Sequence, residues 1–185
     1  MIVTVAALRT ELLFAPRPRL CVGVGAKARD NLRRWLASHR PTGAVVVGFS
    51  GAARAEVRAG TVVLASAIAS PGQPPLELDP ALVAQARETL PEAAVGPVAT
   101  VAGKTGPADK ARLGLDALAV DMESAGLARE FREQGIPFLV VRVILDALWE
   151  DAFAPLPVRW ARRAMVGSHR LGRAARAVRP VLEGR

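Results

Sequence analysis

Three carboxylates in this chain stand where an acid can do chemistry. Glu11 closes the run Ala7-Leu8-Arg9-Thr10-Glu11, directly after the apolar stretch Ile2–Ala6. Glu123 lies in Ala119-Val120-Asp121-Met122-Glu123-Ser124-Ala125, where a short apolar run passes straight into a helical pattern. Asp146 ends Pro137-Phe138-Leu139-Val140-Val141-Arg142-Val143-Ile144-Leu145-Asp146, a nearly unbroken apolar strand. Ligands collect outside the carboxyl ends of strands in α/β sheets, so all three acids fall where a pocket forms. A carboxyl partly withdrawn from water there rises in pKa and can exchange a proton near neutral pH. Each acid also has an ordinary reading. Asp after a strand commonly caps a helix, and Glu in a first helical turn complements its dipole. Arg142, inside the apolar strand, requires an acidic partner, Asp121 or Glu123, and reads as structural.

The elements that would hold these acids alternate short β-branched runs with amphipathic stretches, the pattern of an α/β fold. Strands are predicted at Ile2–Ala6, Leu20–Val24, Ala44–Phe49, Thr61–Ala67, Pro97–Val101, Ala117–Val120 and Phe138–Ile144. The run Ala44–Phe49 is apolar throughout, as a strand covered on both faces must be. Helices are predicted at Lys27–Ser38 and Pro80–Leu90, with a helical turn at Ala108–Leu113. A further helix at Asp121–Gln134 turns Ser124, Leu127, Ala128 and Phe131 inward, and Gly135 with Pro137 stops it. Proline-rich Ser70–Pro80 is expected to be loop, as is Gly103–Pro107. Without a repeat or a linker, the chain reads as one domain over 1–185 with a basic C-terminal helix at about 156–179.

Composition narrows the function classes. With 185 residues and 51% hydrophobic content, a sizeable core can form and disorder is excluded. No apolar run approaches the ~18 residues that span a bilayer, and the N-terminus lacks the form of a signal peptide. A cytoplasmic protein is expected. The lone Cys21, in an apolar run, reads as a buried small hydrophobe, and no Cys/His cluster suggests a metal. His39 and His169 read as surface residues. The formal charge is +8, yet the stretch 159–185 holds eight Arg against one Glu, so the rest is close to neutral. Charge confined to one terminal helix, with aromatics at 4% and no Tyr, argues against nucleic acid. Arg159, Arg162, Arg163, Arg170 and Arg173 share one helical face, opposite Trp160, Leu171 and Val178. The larger share goes to a solvated face on a docked helix, the smaller to weak attraction for anionic membrane.

Four patterns in order carry a family likeness: the strand leading to Glu11; Val22-Gly23-Val24-Gly25-Ala26-Lys27; Val45-Val46-Val47-Gly48-Phe49-Ser50-Gly51-Ala52, followed by Val57-Arg58-Ala59-Gly60-Thr61-Val62-Val63; and the segments around Glu123 and Asp146. Together they resemble the nucleoside phosphorylase/nucleosidase superfamily, particularly methylthioadenosine/S-adenosylhomocysteine nucleosidases. Within it the chain is most similar to hopanoid-associated nucleosidases. The resemblance implies a three-layer αβα, phosphorylase/hydrolase-like fold, with a central mixed, mostly parallel sheet flanked by helices. It implies a homo-oligomer acting on a small-molecule nucleoside without metal or organic cofactor. It makes Asp146 the general acid at the purine, Glu123 the acceptor for a ribose hydroxyl, and Glu11 the group that orients or deprotonates water. Met122 would pack on the sugar, and Phe49, Ser50 and Gly51 would line the substrate site. Negative charge at Glu123 suits the oxocarbenium-like transition state of glycosidic cleavage.

Departures from the family pattern sharpen the expected reaction. Phe49 stands where many relatives have Ser or Thr, and Ala52 replaces a second glycine, which favours water over phosphate. Gly23, Gly25 and Arg54 keep phosphate in play. The family's purine-stacking aromatic is missing near Gly103-Lys104-Thr105-Gly106-Pro107, leaving backbone atoms or Lys104 to read the base. Leu145 replaces a Ser before the acid. The segment between Ala67 and Pro97 is short, which implies a more open pocket or altered oligomeric contacts. The expected function is hydrolysis of a 5′-modified adenosine to free base. The alternatives are a phosphate-dependent purine nucleoside phosphorylase, an adenosylhopane-type nucleosidase of lipid synthesis, or a non-catalytic nucleoside-binding relative.

Overall fold

In the computed structural model, which describes residues 1–103, 105–150 and 157–184, the apolar runs form one eight-stranded sheet. Its strands are β1 (Ile2–Ala6), β2 (Arg19–Cys21), β3 (Gly43–Ala52), β4 (Val62–Ser70), β5 (Gln73–Glu77), β6 (Ala94–Thr100), β7 (Ala119–Asp121) and β8 (Phe138–Asp146). The helices are α1 (Lys27–Leu36), α2 (Pro80–Thr89), α3 (Pro107–Leu113), α4 (Ser124–Glu133) and α5 (Pro157–Glu183). Five of the eight strand pairings are parallel, as the sequence led us to expect. The sheet also closes on itself. β3 pairs with β8 along most of its length and with β7 at its end, while β8–β4–β6–β7 completes the ring. All but one residue of β3 and all but one of β8 are buried, because both faces and both edges of these strands are covered.

Helix ends follow local chemistry. Asp79 caps α2, its Oδ1 accepting from the Ala81 and Leu82 N–H groups at 2.9 and 3.2 Å, with Pro80 in the first turn. Gly135 ends α4 at φ +66°, a conformation with no Cβ penalty for glycine. Helices α1 and α4 are pinned side by side by Arg29 and Arg33, which reach Glu130 and Glu133 at 2.7–3.2 Å. That clamp sets the glycine turn before α1 next to the residues that open α4.

Several expectations need correction. Ser70–Pro80 is not all loop: Gln73–Glu77 pairs with β4 as an edge strand. Only an edge tolerates the missing N–H groups of Pro74 and Pro75. The helix expected from Asp121 begins at Ser124, and α5 continues past the expected end at about 179 to Glu183, through Pro180. Cys21 is exposed rather than buried, because β2 is a three-residue edge strand paired on one side only. His39 and His169 do lie at the surface. The basic helix is more engaged than a freely solvated face. Arg163, Arg170, Arg176 and Arg179 hydrogen-bond to the carbonyls of Leu145, Gly60, Phe14 and Arg17, tying α5 to loops. No helix among the described residues is long and apolar enough to cross a membrane.

Candidate active site

Glu11 sits in a 3-10 turn just beyond β1 and is 3% exposed. Its two oxygens accept backbone hydrogen bonds, Oε2 from Leu8 N–H at 2.7 Å and Oε1 from Phe49 N–H at 2.8 Å. Burial pushes its pKa up from 4.5 to about 6, against the pull of those N–H groups and of Arg142. Glu11 is therefore poised to change protonation near neutrality.

Glu123 immediately precedes α4, yet it does not cap that helix. Asp121 and Thr100 do so instead. Asp121 Oδ1 accepts from Ser124 N–H at 3.2 Å and from Thr100 Oγ1 at 2.7 Å, and Thr100 Oγ1 accepts from Ala125 N–H at 3.0 Å. Glu123 is thereby released toward the cavity, its Oε1 accepting from Gly25 N–H at 2.9 Å. Gly25 adopts φ +69°, and this left-handed turn aims its amide at the carboxylate. Burial raises the Glu123 pKa, opposed by Gly25 and Arg142. Of the two partners expected for Arg142, Asp121 takes the ion pair at 2.6 Å, and Ser124 Oγ accepts from Nε and Nη2 at 3.1 and 2.7 Å. Gly48 leaves space for this guanidinium, since a Cβ there would lie 1.7 Å from Arg142 Nη1.

Asp146 ends β8 opposite Gly51, where the β3–β8 register shifts. Its carboxylate accepts from the Lys110 ammonium, a buried contact between β8 and α3. Burial raises the Asp146 pKa, while Lys110 pulls it back. Gly51 is required here: a Cβ would sit 2.8 Å from Asp146 Oδ2 and 3.2 Å from Lys110 Cε.

Glu11, Glu123 and Asp146 all line one mostly apolar cavity of about 330 Å³ beyond the strand ends, together with Phe49, Ser50, Gly51 and Met122. The seven residues that the family resemblance assigns to the site are thus brought to one place. Ser50 Oγ is buried there without a hydrogen-bond partner among the described residues. Lys104 lies outside the described residues. Arg54, which kept phosphate in play, is bound instead to the carbonyls of Gly114, Leu115 and Ala117.

Lys110 and Trp160 also line the cavity, a place not expected of either from the sequence. Lys110 is the buried member of short, charged α3, and its register with Leu113 was the available signal. Trp160, at the start of α5, reaches the cavity and gives it an aromatic wall. No group of three or more His, Cys, Asp or Glu among the described residues is arranged to hold a metal ion.

Comparison with known proteins agrees with this geometry. A family model described as Phosphorylase superfamily matches residues 19–179. No curated protein matches the chain. Among solved structures, the Streptococcus pneumoniae MTA/SAH nucleosidase in complex with 8-aminoadenine superposes with TM-score 0.79 at 21% identity, covering 96% of this chain and 97% of that one. A futalosine hydrolase mutant of Helicobacter pylori gives 0.80 at 16% identity, over 100% and 99%. The 5′-methylthioadenosine/S-adenosylhomocysteine nucleosidase of the same species gives 0.80 at 17%, over 100% and 98%. At such identities the likeness establishes the fold.

Proposed function

The chain belongs to the phosphorylase superfamily, and from that premise we propose that it hydrolyses the N-glycosidic bond of a 5′-modified adenosine, releasing the free base. The observation that carries this reading is the convergence of three buried carboxylates, Glu11, Glu123 and Asp146, on one cavity. Each has a separate task. Glu123 accepts a ribose hydroxyl, and its charge stabilises the cation that develops at the sugar. Glu11, held by two N–H groups, takes a proton from the attacking water. Asp146 is the general acid that protonates or hydrogen-bonds a purine ring nitrogen, where negative charge develops as the bond breaks. Met122 and the apolar wall, including Leu8, Val24 and Trp160, support a substrate with an apolar 5′ group. The unpartnered Ser50 hydroxyl supports a further polar contact to the nucleoside.

Water is favoured over phosphate as nucleophile by where the polar groups go. The Gly25 amide, a natural anion donor in a glycine turn, is taken by Glu123. Arg54 is engaged by carbonyls, and Lys110 by Asp146. The test is a panel of 5′-substituted adenosines incubated with and without phosphate and followed by chromatography for free base. Release independent of phosphate, abolished in Asp146→Asn, is the expected result. Phosphate-dependent release with ribose 1-phosphate would make the protein a phosphorylase. Binding of nucleoside without turnover would make it a binding protein.

A further inference from the structure

Asp146 stands where it does because its own strand is irregular. In the β3–β8 ladder Ser50 pairs with Ile144 and Gly51 with Asp146, so Leu145 is an extra residue without a partner in register. A bulge of this kind re-aims the neighbouring side chain and takes a backbone carbonyl out of the ladder, to be bonded elsewhere. The Leu145 carbonyl is bonded from α5, where Arg163 Nη1 donates to it at 3.0 Å. Regular pairing would instead put Leu145 opposite Gly51 and Asp146 opposite Ala52. The carboxylate would then leave the space that Gly51 keeps open for it.

The same guanidinium also holds the far side of Asp146. Its Nη1 and Nη2 donate to Glu150 Oε2 and Oε1 at 2.6 and 3.1 Å, a two-pronged pair that fixes direction as well as distance. Glu150 in turn closes the turn that follows the acid. Its Oε2 accepts from Ala147 N–H at 3.0 Å, and its own N–H donates to the Ala147 carbonyl at 3.0 Å. Its carbonyl accepts from Lys110 at 3.0 Å. The guanidinium lies 5.6 Å from the centre of the Trp160 ring, so the pair is backed by the aromatic wall of the cavity. Arg163 itself stands behind that wall and not in it.

Resting on the proposed nucleosidase reading, we infer that Arg163 is a positioning residue for the general acid: by pinning the bulge at Leu145 to the turn at Glu150, it fixes where the Asp146 carboxyl meets the departing base. A general acid works only within hydrogen-bond reach of the atom it protonates, and a displacement of about 1 Å costs up to about 10²-fold in rate. Arg163 ties the residue before Asp146 and the turn after it to one helix. Without it the Leu145 carbonyl and the Glu150 carboxylate lose their shared donor, and the bulge is free to relax toward regular pairing. The residue acts through Asp146, since it reaches no atom of the cavity itself.

The test compares a leaving group that needs the acid with one that does not. Arg163→Ala and Arg163→Lys are measured on a 5′-substituted adenosine that the wild type cleaves and on the matching 4-nitrophenyl riboside, whose nitrophenolate leaves unprotonated. In Arg163→Ala, kcat on the nucleoside should fall about 10- to 10²-fold, and the ratio of the two kcat values should fall by about tenfold or more. Arg163→Lys still donates to a carbonyl and pairs with a carboxylate, though without the two-pronged fit, so it should recover part of that ratio. Equal losses on the two substrates would reduce Arg163 to a structural role and overturn the inference, as would no loss on either. If Arg163→Ala fails to fold, Glu150→Gln breaks the same pair from the other side. Asp146 is faced by Lys110 from α3 and by Glu150, whose charge helps to raise its pKa. Removing that charge lowers the pKa of an acid that must carry a proton, so the alkaline limb of kcat/KM on the nucleoside should move to lower pH. An unmoved limb together with an unmoved kcat ratio would overturn the inference. Absence of base release by the wild type from every nucleoside would instead overturn the proposed function, and the inference with it.

Discussion

Replacing Glu11 with Gln should relieve a buried charge and remove the proposed base, and both effects should grow as pH rises through about 6. The ionised Glu11 carboxylate is disfavoured in the fold, its pKa standing at about 6 instead of 4.5. At about 1.4 kcal/mol per pKa unit, that burial costs about 2 kcal/mol once both folded and unfolded states are ionised. Below pH 4.5 both states carry the proton and the penalty vanishes. It grows between 4.5 and 6 and is complete above 6. Gln is neutral but offers one acceptor oxygen where Glu11 offers two to the Leu8 and Phe49 N–H groups, so a hydrogen-bond cost independent of pH is set against the relief. Relative to wild type, Glu11→Gln should gain about 2 kcal/mol between pH 4 and pH 8, or roughly 4–8 °C in Tm for a chain of this size. Activity runs the other way. The wild-type rate should fall as pH drops through about 6 and the base is protonated, and the Gln variant should be slower by about 10²- to 10⁴-fold above it. Thermal melts of both proteins from pH 4 to 8, with base release in the same buffers, decide the matter. A stability difference between the two proteins that is indifferent to pH would refute the electrostatic reasoning.

The remaining predictions concern the other walls of the cavity and the helix behind it. Gly51→Ala places a Cβ 2.8 Å from Asp146 Oδ2, so kcat should fall far more than the folded fraction measured by circular dichroism. Ser50→Ala removes a buried hydroxyl with no partner among the described residues; we expect unchanged or higher Tm and a raised KM on the nucleoside panel. Four arginines of α5 already bind protein carbonyls, leaving exposed Arg162 and Arg173 for any anionic lipid. Co-sedimentation with phosphatidylserine vesicles should be weak, fall with added salt, and fall further in Arg162→Glu/Arg173→Glu; binding indifferent to both would remove the lipid reading.

What was legible in the sequence followed physical constraint. β3 and β8 announced themselves because strands covered on both faces must be apolar throughout, and the three acids at strand ends did reach one cavity. β5 was hidden because its prolines exclude a central strand, and nothing local signals an edge. Cys21 misled for a related reason: an apolar neighbourhood in sequence does not reveal which side of a short edge strand faces water. The Lys110–Asp146 pair joins helix α3 to the end of β8 across 36 positions of sequence, beyond the reach of any local pattern. Helical periodicity put Trp160 on the apolar face of α5 without saying that its neighbour would be a cavity rather than the core.

Closure of the sheet has a consequence for how the molecule can move. β8 pairs with β3 from Ala44 to Gly51, while β1 holds the other edge up to Val46 and β7 holds it at Gly51 and Ala52. Residues 48–51 donate to Glu11 through Phe49, make room for Arg142 at Gly48, and make room for the Lys110–Asp146 pair at Gly51. A strand bonded along both edges cannot slide by less than a whole residue pair, so this part of the cavity behaves as a fixed template. Adaptation to differently shaped nucleosides is then the task of the parts that border the cavity without belonging to the sheet: the turn at Gly23–Gly25, helix α3 and the first turns of α5. Changes in substrate preference should accumulate in those three places, while residues 48–51 hold the reaction constant.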